Sequence, residues 1–411
     1  MVSTQSTPAV RPPVPLAVVI FAGCAVAMLS FGERSAFGLF LTPMTEARGW
    51  SRETFALALA VQNLVWGAAQ PIMGAISDRY GTARVLVVGA ILYSVGLYIA
   101  SIAANPLVLQ LGMGISVGVG LAAGSFTIVL AAFGRSVTPA RRSIAFGLGT
   151  AAGSFGQFLF GPLTQGLIDG VGWERAMVIL AVAVLTIVPL AYALKGRAGS
   201  DAGVAPQTFR EALTEAFGYR SYVLLVFGFF VCGFHLAFIA VHLPPYLSDL
   251  GMSPMLGAWA LALIGLFNIV GSLSAGAVGA RFSKSYSLSA LYLARSLIIL
   301  GFISVPVSQA SVLLFAAGMG LLWLSTVPLT SGLVAVMFGP RYMATLFGFV
   351  FFSHQIGSFL GVWLGGRIYD QTGSYDLVWW ISIALGVFAA LVHLPIKDAP
   401  APRLQEPAPA A

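Results

Sequence analysis

The sequence predicts an all-α membrane protein in which 12 transmembrane helices form two six-helix repeats. Three observations carry this expectation. Of the 411 residues 58% are hydrophobic and only 9% charged, with a mean hydropathy of +0.91, whereas a soluble domain carries about 25% charged residues. Uncharged runs recur along the chain at lengths near the ~20 residues that cross a hydrocarbon core of about 30 Å, and runs this apolar satisfy their backbone in lipid as helices. Lys and Arg also segregate between alternate loops. Fifteen lie on the side of the two termini and four, Arg48, Arg52, Arg175 and Arg367, on the other. That positive-inside bias places both termini in the cytoplasm. It also makes the net charge of +7 a topology signal, with no nucleic-acid partner implied.

Taken in order, the helices are expected at about 15–41, 54–77, 83–104, 107–133, 143–169, 173–194, 221–248, 255–280, 286–307, 309–337, 342–369 and 375–394. Turn chemistry or charge marks most breaks, as at Thr42-Pro43, Asp78-Arg79-Tyr80-Gly81, Asn105-Pro106, Thr138-Pro139, Ser253-Pro254 and Gly339-Pro340. A polar, proline-rich tail (1–14) precedes the first helix, and the apolar run after it is too long for a signal h-region. A polar linker (195–220) divides an N-terminal half (15–194) from a C-terminal half (221–394), and a tail (395–411) follows. Within the linker, Phe209, Leu213 and Phe217 share one side of a short surface helix. From Ala399 the Ala- and Pro-rich tail is expected to lack fixed structure.

Several features exclude other classes. Cys24 and Cys232 fall inside helices, which suggests neither a disulfide framework nor a metal cluster. Gly112, Gly114, Gly118, Gly120 and Gly124 have the look of a nucleotide loop, but no strand precedes them and they lie inside a helix, where small residues let membrane helices pack closely. No His-Glu-x-x-His pair or acidic dyad occurs. No enzymatic activity, cofactor or metal is therefore expected.

Between the second and third helices the chain reads Gly74-Ala75-Ile76-Ser77-Asp78-Arg79-Tyr80-Gly81-Thr82-Ala83-Arg84. This resembles the major facilitator signature G-x-x-x-D-R-x-G-x-x-R at all its defined positions. The resemblance implies that fold, and a latch of Gly74, Asp78, Arg79, Gly81 and Arg84 at the cytoplasmic ends of the halves. Physically, Gly74 would let a neighbouring helix approach and Gly81 turn the chain. The matching place in the second half, Gly276 to Lys284, is a worn copy with Ala280 at the aspartate position, as an internal repeat would leave.

Charges inside the apolar segments need a reason, since each costs roughly 2.5–3.5 kcal/mol at bilayer depth on insertion scales. Only Glu33, Arg34 and Arg295 are so placed. Arg34-Ser35-Ala36-Phe37-Gly38-Leu39-Phe40, followed by Gly49-Trp50-Ser51-Arg52, resembles the first helix of the monocarboxylate and oxalate–formate porter branch. In that branch the animal porters carry a lysine near the position of Arg34, and it is implicated in anion and proton coupling. A guanidinium suits a carboxylate through its planar two-pronged fork. Glu33, the one acidic residue inside an apolar segment, is the candidate proton carrier. His354, in Phe351-Phe352-Ser353-His354-Gln355-Ile356-Gly357-Ser358-Phe359, is a candidate for proton coupling or substrate contact, and the segment to Asp376 resembles bacterial members of the same branch. His235 and His242 share a face of the seventh helix and are weaker candidates, and His393 is expected at the interface.

The porters' anion-binding arginine lies in the eighth helix. Here that helix, Gly265 to Leu273, has no arginine and carries Asn268 instead of an acidic residue. Arg295, in the ninth helix, is expected to snorkel toward the cytoplasmic side. Gln62, Asn63, Gln157, Asn268 and Gln355 are candidates to line a polar cavity, with Trp66, Trp323 and Phe351 as its apolar walls, while Trp50, Trp173, Trp379 and Trp380 suit the interfaces.

These readings predict a monomeric secondary transporter of the inner membrane, working by alternating access. Its expected cargo is a small organic anion, first a monocarboxylate, moved with protons or against a counter-anion. The alternative is a proton-driven exporter of lipophilic drugs or metabolites. Gly153, Gly156, Gly161-Pro162 and Gly166 partly resemble a pattern of such exporters, with Gln165 where a glycine would stand.

Overall fold

The computed structural model describes residues 14–124, 126–137, 139–196, 209–339 and 343–401. Within them the chain is helical, with no strand, and crosses from end to end twelve times. The first six crossings are α1 (Leu16–Arg48), α2 (Arg52–Tyr80), α3 (Thr82–Ser101), α4 (Pro106–Leu130), α5 (Pro139–Val171) and α6 (Trp173–Leu194). The second six are α7 (Arg220–Asp249), α8 (Pro254–Arg281), α9 (Lys284–Ser304), α10 (Gln309–Phe338), α11 (Met343–Thr372) and α12 (Asp376–His393). Eleven are long and apolar enough to span a bilayer on their described residues; α5, with 33 residues, is the twelfth. A short helix, Phe209–Gly218, precedes α7.

Turn chemistry explains most boundaries. Ser51 caps α2 by accepting from the Thr54 amide, Asn105 caps α4 through the Val108 amide, and Gly81 turns the chain between α2 and α3 with φ +96°. The break expected at Thr42-Pro43 is absent. Pro43 sits in the first turn of Leu41–Arg48, where a missing N–H costs nothing, so α1 kinks through Phe37–Phe40 and runs on. Conversely α10 is not continuous. It is interrupted between Leu322 and Thr326, with Pro328 just beyond.

Close packing relies on glycine, as the run in α4 suggests. A Cβ on Gly112 would lie 2.8 Å from the Gly96 carbonyl oxygen, and one on Gly120 would lie 2.7 Å from the Tyr93 nitrogen. The two halves echo each other at the start of their third helices. The Thr82 amide donates to the Gly196 carbonyl (3.1 Å), just after α6. Asp398, just after α12, accepts from the Lys284 and Ser285 amides (2.6 and 3.2 Å). The tail is therefore packed further than expected, to Ala401, whose amide donates to Met337 (2.8 Å).

The halves meet at the end remote from the termini and part at the other. Gly366 lies against Arg52 and Glu53, Gly38 against Ala240 and Val241, Gly67 against Gln355, and Gly161 against Ala258. Toward the terminal end, a Cβ on Gly74, Gly147, Gly276 or Gly348 would meet no described atom within 4 Å. An open apolar groove there is lined by Pro71, Ile72, Ala75, Ile76, Arg79 and Tyr80. Among the described residues no helix makes the close approach expected at Gly74. The side chain of Asp78 lies outside the described residues, as do 1–13 of the first tail, 197–208 of the linker and 402–411 of the last tail.

Candidate functional site

Arg34 leaves α1 just before its kink, in the last turn of Leu16–Ser35, half-buried and facing the partner half, and no carboxylate pairs with it among the described residues. Its Nη2 donates to Asn63 Oδ1 of α2 (2.6 Å), and its guanidinium lies 4.8 Å from the centre of the Trp66 ring. Asn63 is held in turn, donating to the Leu59 carbonyl (2.9 Å). From the other half, Gln355 Nε2 donates to the Asn63 carbonyl (3.1 Å), and Phe351 meets Trp66 edge-on at 5.5 Å. Phe351 also stacks on His354 (5.6 Å, 9° between planes), and His354 Nδ1 lies 3.1 Å from Gln355 Oε1. Five residues singled out from sequence, Arg34, Asn63, Trp66, Phe351 and Gln355, therefore meet where the halves touch, with His354 beside them. Arg34 Nε and Trp66 Nε1 have no hydrogen-bond partner among the described residues.

Glu33 points elsewhere. It is fully buried (0% exposed), neither carboxylate oxygen has a hydrogen-bond partner among the described residues, and it faces the interior of the N-terminal half near Tyr93 of α3. Adjacent helical residues diverge by about 100°, so Glu33 and Arg34 serve different faces of α1.

The other candidates are scattered. Asn268 donates to Ser154 of α5 (2.9 Å) and accepts from the Leu324 amide (3.0 Å); Gln157 is buried against Gly265; Gln62 donates to the Met113 carbonyl (2.8 Å). These residues join helices. His235 is bonded to the Ser382 carbonyl (2.7 Å), between α7 and α12 and away from Arg34. His393 is corrected from an interfacial to an interior residue, fully buried, bonded to the Ala389 carbonyl (2.7 Å) and stacked on Tyr292. Arg295 does not snorkel. It is fully buried, and Nη2 donates to the Leu322 and Trp323 carbonyls (2.5 and 2.6 Å). The interruption of α10 exposes those acceptors, which an unbroken helix would have hidden from the sequence reading. Trp323 stands at that interruption, 3% exposed.

Sequence reasoning missed the cluster that closes the remote end. Arg52 makes a two-pronged contact with Asp249 (2.6 and 2.7 Å), donates to the Tyr375 hydroxyl (2.9 Å) and lies 3.8 Å over the Tyr369 ring. Asp370 of α11 accepts from the Arg52 and Glu53 amides (3.1 and 2.7 Å), capping α2 across the interface. Glu53 accepts from Trp363 Nε1 (2.9 Å) and pairs with Arg367 (3.3 Å). His242 is bonded to the Val362 carbonyl (2.8 Å) and lies 3.3 Å from the Tyr375 hydroxyl. A neutral ring protonated at Nε2 accounts for both contacts, with Tyr375 donating to Nδ1. Burial holds the Tyr375 hydroxyl above its ordinary pKa, so it remains such a donor. The signal was present in Gly49-Trp50-Ser51-Arg52 and Gly373-Ser374-Tyr375-Asp376, stretches that have no catalytic look and that only tertiary structure brings together.

Two helical halves, closed on each other at one end around a charged centre, are the architecture of a membrane transporter. The chain belongs to the major facilitator superfamily: the family model described as Major Facilitator Superfamily matches residues 23–362. It is 25% identical over 392 residues to the uncharacterized MFS-type transporter YcxA of Bacillus subtilis (strain 168), covering 91% of this chain and 93% of that one. It is 30% identical over 382 residues to monocarboxylate transporter 11 of Mus musculus (87% and 82% covered). Among solved structures it is similar to a bacterial homolog of the human lysosomal transporter Spinster, inward-facing and occupied (TM-score 0.75, 14% identity, 96% and 99% covered). It is also similar to the D-xylose-proton symporter (TM-score 0.70, 16% identity, 94% and 99% covered). The chain is therefore a multi-pass membrane transporter and not an enzyme.

Proposed function

We propose that this transporter carries small organic anions, monocarboxylates first, coupled to protons or to a counter-anion. One observation carries the reading: the Arg34 guanidinium faces the meeting of the halves with no carboxylate paired to it among the described residues. A desolvated cation gains most from a ligand that brings the opposite charge and fills its fork. Trp66 and Phe351 beside it suit the short apolar remainder of such an acid. The similarity to a protein named monocarboxylate transporter 11 supports the same cargo.

In this reading Arg34 binds the carboxylate while Asn63 and Gln355 hold the frame around it. Glu33 takes the proton. An ionised carboxylate at its place would lack a hydrogen-bond partner among the described residues, which supports a group that is charged only transiently. His354 is the second proton candidate, from its place beside Gln355. The loop charges support a cytoplasmic terminal end in the cell's inner membrane, and in this reading the conformation is open to the inside.

The test is uptake into proteoliposomes of a panel of small carboxylates and one lipophilic cation, with and without an inward proton gradient. Gradient-dependent carboxylate uptake that vanishes in a folded Arg34→Ala variant is expected. Movement of the cation alone, unchanged in the variant, would replace this reading with drug export.

A further inference from the structure

We propose that Arg295 is the positioning residue of the C-terminal half, holding α10 open at Trp323 so that the far side of the central site keeps its shape. The inference deepens the proposed function and rests on it for one arm of its test.

The argument begins with the backbone groups of the interruption. Pro328 has no N–H to give the Leu324 carbonyl and its ring crowds that oxygen, which weakens a regular helix at this point. In a continuous helix the Leu322 and Trp323 carbonyls would accept from the Thr326 and Val327 amides. Here the Val327 amide turns to Leu324 (3.0 Å), and Arg295 Nη2 donates to both Leu322 and Trp323 instead. Likewise the Trp323 amide takes the Gly320 carbonyl (3.1 Å), which a regular helix gives to Leu324, and the Leu324 amide finds Asn268 Oδ1 (3.0 Å). Side chains from α9 and α8 thus meet the backbone groups on both sides of the gap.

The charge suits the place as well. The carbonyl end of Gln309–Leu322 favours a cation, and the guanidinium lies 5.3 Å from the Tyr292 ring centre. No carboxylate pairs with it among the described residues. In carriers with discontinuous helices, freed carbonyls of this kind can coordinate an ion. In this chain a tethered cation occupies them.

The gap is linked to the site through side chains. Thr326, the first residue after it, lies 3.2 Å from Cys232 Sγ of α7, and Cys232 is beside His354. Shifting the gap moves Thr326, then Cys232 and His354, and with them the wall opposite Arg34.

The test uses full-length protein carrying Cys24→Ser, so that Cys232 is the one thiol. Two quantities are read: the rate of Cys232 labelling by fluorescein maleimide, and the KM and Vmax for lactate uptake in proteoliposomes. With Arg295→Met, labelling should quicken about tenfold and KM rise about tenfold with Vmax held within about twofold. With Arg295→Lys, whose ammonium can reach both carbonyls, both readings should stay within about threefold of the parent. A Pro328→Ala/Arg295→Met double variant lets α10 close on itself and keeps the test open if the single variant does not fold. It should regain thermal stability but keep the raised KM. Parental KM in the double variant, or parental labelling in a folded Arg295→Met protein, would overturn the proposal. A parent that takes up no lactate, yet labels slowly while Arg295→Met labels fast, would remove the carboxylate reading and leave the role of Arg295 standing.

Discussion

Arg34 and Glu33 are neighbours in sequence whose polar ends take different partners. Arg34 faces Asn63 and Trp66 at the meeting of the halves and Glu33 is buried inside its own half, with Tyr93 within electrostatic reach of both. Their substitutions should accordingly separate. Arg34→Lys keeps the charge but loses the fork, and we expect carboxylate KM to rise by about 1–2 kcal/mol of binding, roughly five- to thirtyfold, in proteoliposome uptake. Glu33→Gln should abolish accumulation driven by a proton gradient and leave gradient-free counterflow of the same carboxylate intact. Measuring both modes on one preparation checks this, and loss of both would place Glu33 in substrate binding. Charge inside an apolar run made these two residues legible from sequence. Arg295 was equally visible, but its partners are backbone carbonyls that only the interruption of α10 sets free, so its burial could not be read from residue type.

Helices in this protein approach at glycines, but those contacts do different work. Gly271 of α8 lies against the Leu321 carbonyl of α10, inside one half. Gly38 of α1 lies against Ala240 of α7, across the two halves. Adding a methyl at Gly271 should cost about 1–3 kcal/mol of stability and lower the melting temperature of the whole protein. The same addition at Gly38 should leave the halves sound and disfavour only this closure, which distance measurements between spin labels on the remote ends of α1 and α7 would report as a wider population. At that end the Arg52–Asp249 pair is 13% and 30% exposed by side chain. Asp249→Asn should therefore weaken the closure by about 1 kcal/mol, shifting the two facings roughly fivefold, well short of the effect of a buried pair. Element positions were readable because apolar length, caps and prolines are local. Pro43 and the α10 gap show the limit: Pro43 reads as a break yet sits harmlessly in an opening turn, whereas 309–337 reads as one helix yet is interrupted between Leu322 and Thr326.

At the scale of the molecule, composition and the spacing of apolar runs were enough to expect twelve crossings, because lipid leaves a chain this apolar few other ways to satisfy its backbone. The facing of the structure was not legible. It depends on a small difference between two packings of the same halves, and the residues that decide it lie about 200 to 300 positions apart, as Arg52 and Asp249 do, and Glu53 and Arg367. Both of those cross-half pairs belong to the sealed end and are partly exposed. Ions at 1 M shorten the Debye length to about 3 Å, against about 10 Å at 0.1 M. Salt on the remote side of the membrane should thus ease the seal, while the same salt on the terminal side leaves it untouched. The protein should sense ionic strength with a sidedness, cycling faster in brine outside and indifferent to it within.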